Sequence, residues 1–297
     1  MTQTVPAPAG ATTLPVAPPK RVGFLRRLAQ QKLAIAGLIT LAVVVLVALF
    51  GSLISPYNPD VTSLGAVLLP PGSPGYLLGT DELGRDLLSR LISGTQVSLV
   101  AALQGTSLTV AIGVTLGLAA GFFRGWVEKV IMFVTDVLMS FPGILLAIAI
   151  AGILGPSLNN AMIALGIVLA PGAIRLVRGS VLGVREETYV EAARSIGTPS
   201  GQILVRHILP NVVPPLIVYI AILAGQVMLI EAGLSFIGVG VQPPQASWGA
   251  MLSSSFAYID RAPWLAVFPG LMIAISVFAL NLLGDGIRDS IGKKVTR

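Results

Sequence analysis

Residues 185–216 have the sequence REETYVEAARSIGTPSGQILVRHILPNVVPPL, and this stretch decides how the chain must be organised. Its first two thirds are polar and free of strong apolar runs, whereas the residues on both sides of it are strongly apolar. A helix-prone polar segment between two apolar stretches predicts an ordered loop that joins two membrane-spanning helices. Such a loop offers a surface on which a soluble protein can push.

The spacing inside this stretch predicts two short helices that meet at a glycine. From Arg185 to Ile196 nothing breaks a helix, and Gly197 is typical of a helix C-terminal cap. Thr198 is the predicted N-cap of a second helix, with Pro199 in its first position and Pro210 ending it at the membrane edge. Four residues of the first helix are predicted to form one narrow apolar face, at positions i, i+3, i+4 and i+7: Tyr189, Ala192, Ala193 and Ile196.

The residues alone leave two interpretations of this segment open. Two helices tied to neighbouring spans form a rigid elbow that transmits movement. An arginine-bearing amphipathic helix that lies on the membrane surface has the same pattern.

Composition excludes a soluble globular protein. The chain is 54% hydrophobic and 11% charged, with a mean hydropathy of +0.87, whereas soluble domains carry about a quarter charged residues. There is no cysteine, and His207 is the single histidine, so thiol chemistry and multi-histidine metal sites are excluded. We predict no metal site and no catalytic set on this chain.

Six apolar stretches predict an all-α integral membrane protein with six transmembrane helices, because about 20 apolar residues cross a bilayer. They are Leu33–Ile54 and the stretches near 97–123, 130–154, 161–177, 212–239 and 264–283. The first is too long for a signal peptide and is predicted to be an uncleaved anchor. Six spans place both termini on one side, and all but three of the 19 lysines and arginines (Arg85, Arg90 and Arg261) fall there. The positive-inside rule then predicts cytoplasmic termini.

The chain divides into four predicted regions. Residues 1–30 form a disordered basic cytoplasmic tail, and 31–95 hold the first transmembrane helix and an outer amphipathic loop. Residues 96–290 form a five-span core that contains the polar loop 185–210, and 291–297 form a cytoplasmic tail.

Several local patterns predict further features of the bundle. Glycines recur every fourth residue from Gly113 to Gly125 and predict close helix packing, and Pro142 and Pro171 predict kinks. The segment Thr80–Leu91 predicts a short amphipathic helix capped by Thr80. Aromatic residues between 242 and 264 predict an interfacial belt or a re-entrant segment.

Ionisable residues within the spans are few. Glu231 lies deep in the fifth span, where burial costs at least about 2.5–3.5 kcal/mol, and it either lines a pathway or bonds to a neighbouring helix. Asp136 is predicted to pair with Arg124 or Lys129 for structural reasons.

Three segments together resemble the C-type permease subunits of dipeptide, oligopeptide and nickel importers, which belong to the ABC importers. Glu191, Ala192, Ala193 and Gly197, followed by the closing residues 208–210, resemble the EAA loop of importer permeases. The other two segments are 78–86 (LGTDELGRD) and 231–249 (EAGLSFIGVGVQPPQASWG). The likeness runs from about Lys20 to the C-terminus, with mild departures at Leu77 and at Thr198-Pro199.

This resemblance implies roles for particular residues. ATPase coupling is expected of Glu187, Tyr189, Glu191, Ala192, Ala193, Arg194, Ile196, Gly197, His207 and Pro210. A pathway or gate role is expected of Glu231, Ser235 and Gln226. The outer-loop motif comprises Asp81, Gly84, Arg85, Asp86 and Trp248.

The resemblance also implies a multi-subunit importer in the prokaryotic cytoplasmic (inner) membrane. The expected partners are a second homologous permease, two P-loop ATPase subunits, an extracytoplasmic solute-binding protein and membrane lipid, with no nucleic acid. This chain has no phosphate-binding loop, so ATP and Mg²⁺ are expected on the ATPase subunits and no cofactor on this one. The expected cargo is a dipeptide or oligopeptide. Nickel or another small solute, and a secondary transporter that needs no motor, are the alternatives.

Overall fold

The computed structural model describes residues 24–292, and within that range the chain is built from helices and connecting loops without a β-strand. The predicted tail 1–30 lies mostly outside the described residues, as does most of 291–297. The helices are α1 (Phe24–Leu28), α2 (Lys32–Ile54), α3 (Leu87–Phe123), α4 (Gly125–Met139), α5 (Gly143–Leu154), α6 (Leu158–Arg185), α7 (Thr188–Ser195), α8 (Ser200–Ile203), α9 (Leu209–Phe236), α10 (Trp248–Ser255) and α11 (Trp264–Gly292).

Five helices of the described range are long and apolar enough to cross a membrane: α2, α3, α6, α8–α9 taken together, and α11. The predicted third span is not one straight helix, because α4 and α5 meet at an angle of 95°, as in a broken span or a re-entrant loop. The break falls at Ser140 and Phe141, directly before Pro142, which has no N–H to donate and restricts the residue before it. Pro171, in contrast, lies inside the continuous helix α6.

Helices α3 and α6 form the most extensive contact in the bundle, and the glycine pattern explains it. A Cβ atom on Gly117 would lie 2.7 Å from the Cβ of Val177, and one on Gly121 would lie 2.7 Å from the Cβ of Val181. Gly113 faces Ala173 in the same way. The predicted packing role is confirmed for these three. Gly125 does not belong to the stripe, because it lies beyond the end of α3 at a turn with φ of +65°.

The predicted amphipathic helix Thr80–Leu91 is wrong. Residues 80–86 form a compact loop, and α3 begins at Leu87 with Asp86 as its N-cap, which accepts a hydrogen bond from the N–H of Ser89 at 2.8 Å. Thr80 is buried, accepting from the N–H of Leu69 and donating to the carbonyl oxygen of Ala66. These bonds to residues 66 and 69 of the same loop outweigh the local helical spacing.

The polar loop 185–210 folds as two short helices, with one change at its end. Helix α8 begins at Ser200, with Pro199 rather than Thr198 at the N-cap position. Pro210 does not end this helix, because α8 continues through a π-helical turn (Leu204–Ile208) into α9. The wider turn accommodates a proline that cannot complete an ordinary helical hydrogen bond.

Trp248 does not take part in the predicted aromatic belt. It is fully buried at the start of α10, and its indole Nε1–H donates to the carbonyl oxygen of Leu91 at 3.2 Å. Its backbone N–H donates to the hydroxyl of Ser98, also at 3.2 Å. The segment after α9 is therefore anchored into the bundle rather than spread at an interface.

Candidate functional site

Helix α7 has two distinct faces, and the predicted single apolar face is wrong. Val190 and Ala193 are buried against apolar side chains of α6 and of the α8–α9 helix, including Val181 and Ile208. The remaining predicted members of the face point outward: Ile196 is 83% exposed, Tyr189 is 44% exposed, and Ala192 is exposed. The helical spacing did not identify Val190 as a buried residue, because apolar residues lie on both sides of α7.

The end of α7 is a rigid turn, as its glycine predicted. Gly197 has φ of +78°, and its N–H donates to the carbonyl oxygen of Arg194 at 2.9 Å. The N–H of Thr198 donates to the carbonyl oxygen of Ala193 at 3.1 Å, which completes a Schellman motif. The elbow between α7 and α8 therefore has a defined shape.

Charged side chains surround the outer face of α7. Glu187 occupies the N-cap position, and Glu191 and Arg194 follow along the helix, all three exposed. The outer face is thus apolar at its centre and charged at its edges, which is the usual anatomy of a protein interface.

A polar contact ties α7 to the start of α9. The side-chain amide of Asn211 donates to the hydroxyl of Tyr189 at 3.1 Å and to the carbonyl oxygen of His207 at 2.7 Å. The rings of Tyr189 and His207 lie 6.0 Å apart, and Pro210 beside them is exposed. Asn211 was not among the residues predicted from the sequence. Its position four residues after His207 in a helix places its amide near the His207 carbonyl, and this spacing could have indicated the contact.

The predicted pathway residues on α9 separate into two environments. Glu231 and Ser235 are buried together, and the Ser235 hydroxyl donates to the Glu231 carboxylate at 2.7 Å while accepting from the N–H of Val241 at 3.2 Å. Gln226 is exposed on the same helix. Glu231 and Ser235 therefore hold the segment after α9 in place, and only Gln226 is open to the surroundings of the chain.

Two of the predicted outer-loop residues, Asp81 and Arg85, belong to a buried ionic network, while Asp86 caps α3 and Trp248 bonds to Leu91 and Ser98. One oxygen of Asp81 accepts from the N–H groups of Leu83 and Arg85 at 2.9 Å each. The other oxygen lies 2.6 Å from Nε of Arg85 and 3.3 Å from Nε of Arg90. Gly84, with φ of +73°, brings the backbone against Ser63. Arg90, which the motif did not include, is the central cation of this network.

Asp136 has a partner other than the two predicted. It pairs with Arg175 of α6 at 2.6 Å, while Arg124 pairs with Glu186 at 3.2 Å. Within residues 24–292 no three side chains of the metal-binding types come together.

Two family descriptions match the chain. Residues 113–297 match the binding-protein-dependent transport system inner membrane component family, and residues 22–71 match the N-terminal transmembrane domain of oligopeptide transport permease C.

Similar curated proteins cover nearly the whole chain. The glutathione transport system permease protein GsiD of Pectobacterium atrosepticum is 40% identical over 95% of this chain and 96% of its own length. The di/tripeptide transport system permease protein DppC of Pseudomonas aeruginosa is 41% identical over 97% of each. The dipeptide transport system permease protein DppC of Alkalihalophilus pseudofirmus is 41% identical over 93% of this chain and 90% of its own.

A solved structure shares the fold. An inward-facing conformation of the MetNI methionine ABC transporter aligns with a TM-score of 0.58 at 20% identity, over 70% of this chain and 96% of that chain. The family match and the long, 40% identical alignments lead to one conclusion: this chain belongs to the binding-protein-dependent transport system inner membrane components, as a C-type permease subunit of the dipeptide and oligopeptide importer group.

Proposed function

We propose that this permease works in the prokaryotic cytoplasmic membrane and carries small peptides inward when two separate ATPase subunits bind and hydrolyse ATP. A second homologous permease completes the pathway, and an extracytoplasmic binding protein delivers the cargo. Both termini and α7 lie on the cytoplasmic side in this proposal. The distribution of basic residues supports it, since positive charge marks cytoplasmic loops. Residues 96–290 then form the core, and 31–95 the first span with its outer loop.

The exposed apolar face of α7 is the observation that carries the proposal. Ile196 and Tyr189 are exposed on a polar loop, and exposed apolar residues rimmed by charged ones fit a surface that a partner covers. The buried face of the same helix and the turn at Gly197 hold this surface at a fixed orientation. An ATPase subunit docked on α7 fits an apolar centre with charged edges.

Movement of α7 has a direct route into two spans. Val190 and Ala193 pack against α6 and the α8–α9 helix, and Asn211 links Tyr189 to the first turn of α9. Closure of the ATPase pair would therefore displace α6 and α9 together. The exposed face of α9 that carries Gln226 would then line the opening pathway, while buried Glu231 and Ser235 keep the end of α9 attached to its loop.

Small peptides are the proposed cargo because the relatives named above carry glutathione, dipeptides or tripeptides in their names. All of these are short peptides with a free amino and a free carboxyl group. A nickel chelate is the alternative within the same importer group.

The test is uptake by the complete importer reconstituted in proteoliposomes, with its binding protein outside and ATP inside. We expect uptake of a labelled dipeptide or tripeptide that stops when ATP is replaced by ADP. Uptake of a nickel chelate in place of peptides would replace the cargo proposal, and uptake by this chain without ATPase subunits would overturn the mechanism.

One variant pair tests the role of α7. Ile196→Glu places a charge in the apolar centre of the exposed face and should abolish co-purification of the ATPase subunits. Ser195→Ala removes only a hydroxyl that donates to the carbonyl oxygen of Glu191, so it should retain both the subunits and uptake. Full ATPase association in the Ile196→Glu variant would exclude α7 as the docking surface.

A further inference from the structure

We propose that a set of charged contacts makes α4, the helix before the 95° bend, move together with α7. The positioning residues are Arg124, Glu128, Arg178, Arg185 and Glu186. This inference rests on the proposed function of α7 and adds a third element, α4, to the two spans that α7 contacts directly.

The first contact joins the end of α6 to the end of α3. Arg185 is the last residue of α6, and its guanidinium donates to the carbonyl oxygen of Phe122 at 2.6 Å and to that of Gly121 at 3.4 Å. These carbonyls belong to the last turn of α3, where a cation is favoured by the helix dipole and by oxygens that lack a helical partner. The segment that enters α7 is therefore attached to the corner from which α4 begins.

The second contact lies at that corner itself. Arg124 separates α3 from α4 and has φ of +53°, a backbone conformation that residues other than glycine rarely adopt. Its guanidinium lies 3.2 Å from the carboxylate of Glu186, which stands between α6 and α7. A strained arginine where glycine would be relaxed indicates that the side chain has a role at this position.

Two further ion pairs continue along α4 towards its break. Arg178 of α6 donates from Nε to Glu128 at 2.8 Å and also from Nη2 to the same carboxylate oxygen. Arg175 pairs with Asp136 at 2.6 Å. The carbonyl oxygen of Asp136 accepts from the N–H of Ser140 at 3.0 Å, at the point where the chain turns by 95°. The contacts thus run from the base of α7 to the break.

Helix α4 has little else to fix its position. Thr135 is its only buried residue, and an apolar cleft of about 180 Å³ separates α4 from α3 and α6. The charged contacts therefore provide specific links between α4 and α6, whereas tight packing fixes the position of α3 against α6. When the end of α6 shifts with α7, α4 must follow and the angle at the break must change.

The Arg124–Glu186 and Arg175–Asp136 pairs are about half exposed or more, and removing such pairs would produce almost no effect if their role were purely structural. The Arg178–Glu128 pair is partly buried, so its contribution to stability is separated from coupling by the reversed pair described below. Coupling makes a different prediction: removal of a pair that links two moving helices should reduce the movement of α4 without changing the fold. The readout must therefore be movement of α4 in the assembled importer.

The chain contains no cysteine, so spin labels can be attached at Ser140→Cys and Ser254→Cys without removing native thiols. Both positions are exposed, the first at the break and the second on α10. In the full importer we expect the distance between the labels to change when ATP is trapped on the ATPase subunits. The Glu128→Gln/Arg178→Gln variant should lose that change and take up peptide about tenfold more slowly, while trapping ATP normally.

Two controls separate coupling from loss of charge. The reversed pair Glu128→Arg/Arg178→Glu should restore the label distance change and bring uptake to within about twofold of the original. Arg288→Gln removes an exposed arginine of α11 and should change neither quantity.

Arg124→Gly is the sharpest single variant, because glycine relaxes the corner while removing the link to Glu186. Slower uptake in this variant supports coupling, whereas uptake equal to or faster than the original shows that only the turn mattered and overturns the role of Arg124. An unchanged distance response in Glu128→Gln/Arg178→Gln overturns the proposal as a whole. If the original importer took up peptide but gave no ATP-dependent distance change, α4 would not move with α7 and the inference would be overturned. The proposed function of α7 would fail separately, through full ATPase association in the Ile196→Glu variant.

Discussion

The loop before α3 and the elbow between α6 and α9 are both non-membrane connections, yet they are built in opposite ways. The first, residues 55–86, turns its charges inward: Asp81, Arg85 and Asp86 are buried and bonded to one another or to the backbone. The second turns its charges outward and holds α7 through the buried residues Val190 and Ala193 and through the hydrogen bond between Asn211 and Tyr189. The buried charges give residues 55–86 a fixed shape, and we call this loop the cap. The exposed face of α7, in contrast, offers a surface for a partner.

The largest expected effect comes from breaking the cap. Asp81→Ala leaves Arg85 and Arg90 buried with one partner fewer each and removes the acceptor for two backbone N–H groups. Breaking a buried ionic network by removing one member should lower the free energy of unfolding by about 3–5 kcal/mol. Reversible unfolding in mixed micelles measures this, and a loss below about 1 kcal/mol would mean that the network is open to water.

The next effect comes from the buried face of the elbow. Ala193→Trp forces an indole between α7 and its neighbours, and overpacking of this kind should cost about 1–3 kcal/mol and abolish uptake. Ala192→Trp is its matched control one position away, on the exposed face. We expect it to change the free energy of unfolding by less than about 0.5 kcal/mol while still preventing ATPase association. Equal destabilisation by both variants would contradict the two-faced structure of α7.

A smaller effect is expected at the turn that orients this surface. Gly197 has φ of +78° and nothing lies within 4 Å of an added Cβ, so Gly197→Ala should cost only the backbone strain, about 1–2 kcal/mol. Gly201 in α8 also has open space around an added Cβ and has no positive φ. Gly201→Ala should therefore be neutral or stabilising by up to about 1 kcal/mol. Of the two melting curves, recorded side by side, only that of Gly197→Ala should move to lower temperature.

The contrast between the regions also explains which features were predictable. The turn at Gly197 that ends α7 depends on local geometry, and the packing of Gly117 depends on a repeat along one helix. Both were predictable from the sequence. The burial of Thr80 depends on Ala66 in the same loop, and the burial of Trp248 depends on Leu91, far along the chain. Local spacing therefore predicted a helix over 80–86 that does not form and an interfacial position for Trp248 that it does not take. The family resemblance named the candidate coupling residues. It could not show which of them face outward, because that depends on how α7 packs against α6 and the α8–α9 helix.

The smallest expected effect lies within the cap and tests whether burial, rather than charge alone, distinguishes its ion pairs. Arg90 lies near two carboxylates: Asp81 at 3.3 Å, whose side chain is nearly buried, and Asp60 at 3.4 Å, whose side chain is half exposed. Asp60→Asn keeps the size of the side chain, and Arg90 retains both Asp81 and the carbonyl oxygen of Pro59 at 3.0 Å. Water around Asp60 weakens its attraction for the guanidinium, so we expect a change in the free energy of unfolding of about 0.5 kcal/mol or less, measured in the same micelles as Asp81→Ala. If the two variants were equally destabilising, the charge of Arg90 rather than the enclosure of Asp81 would stabilise the loop, and the distinction between a sealed cap and an open elbow would no longer hold.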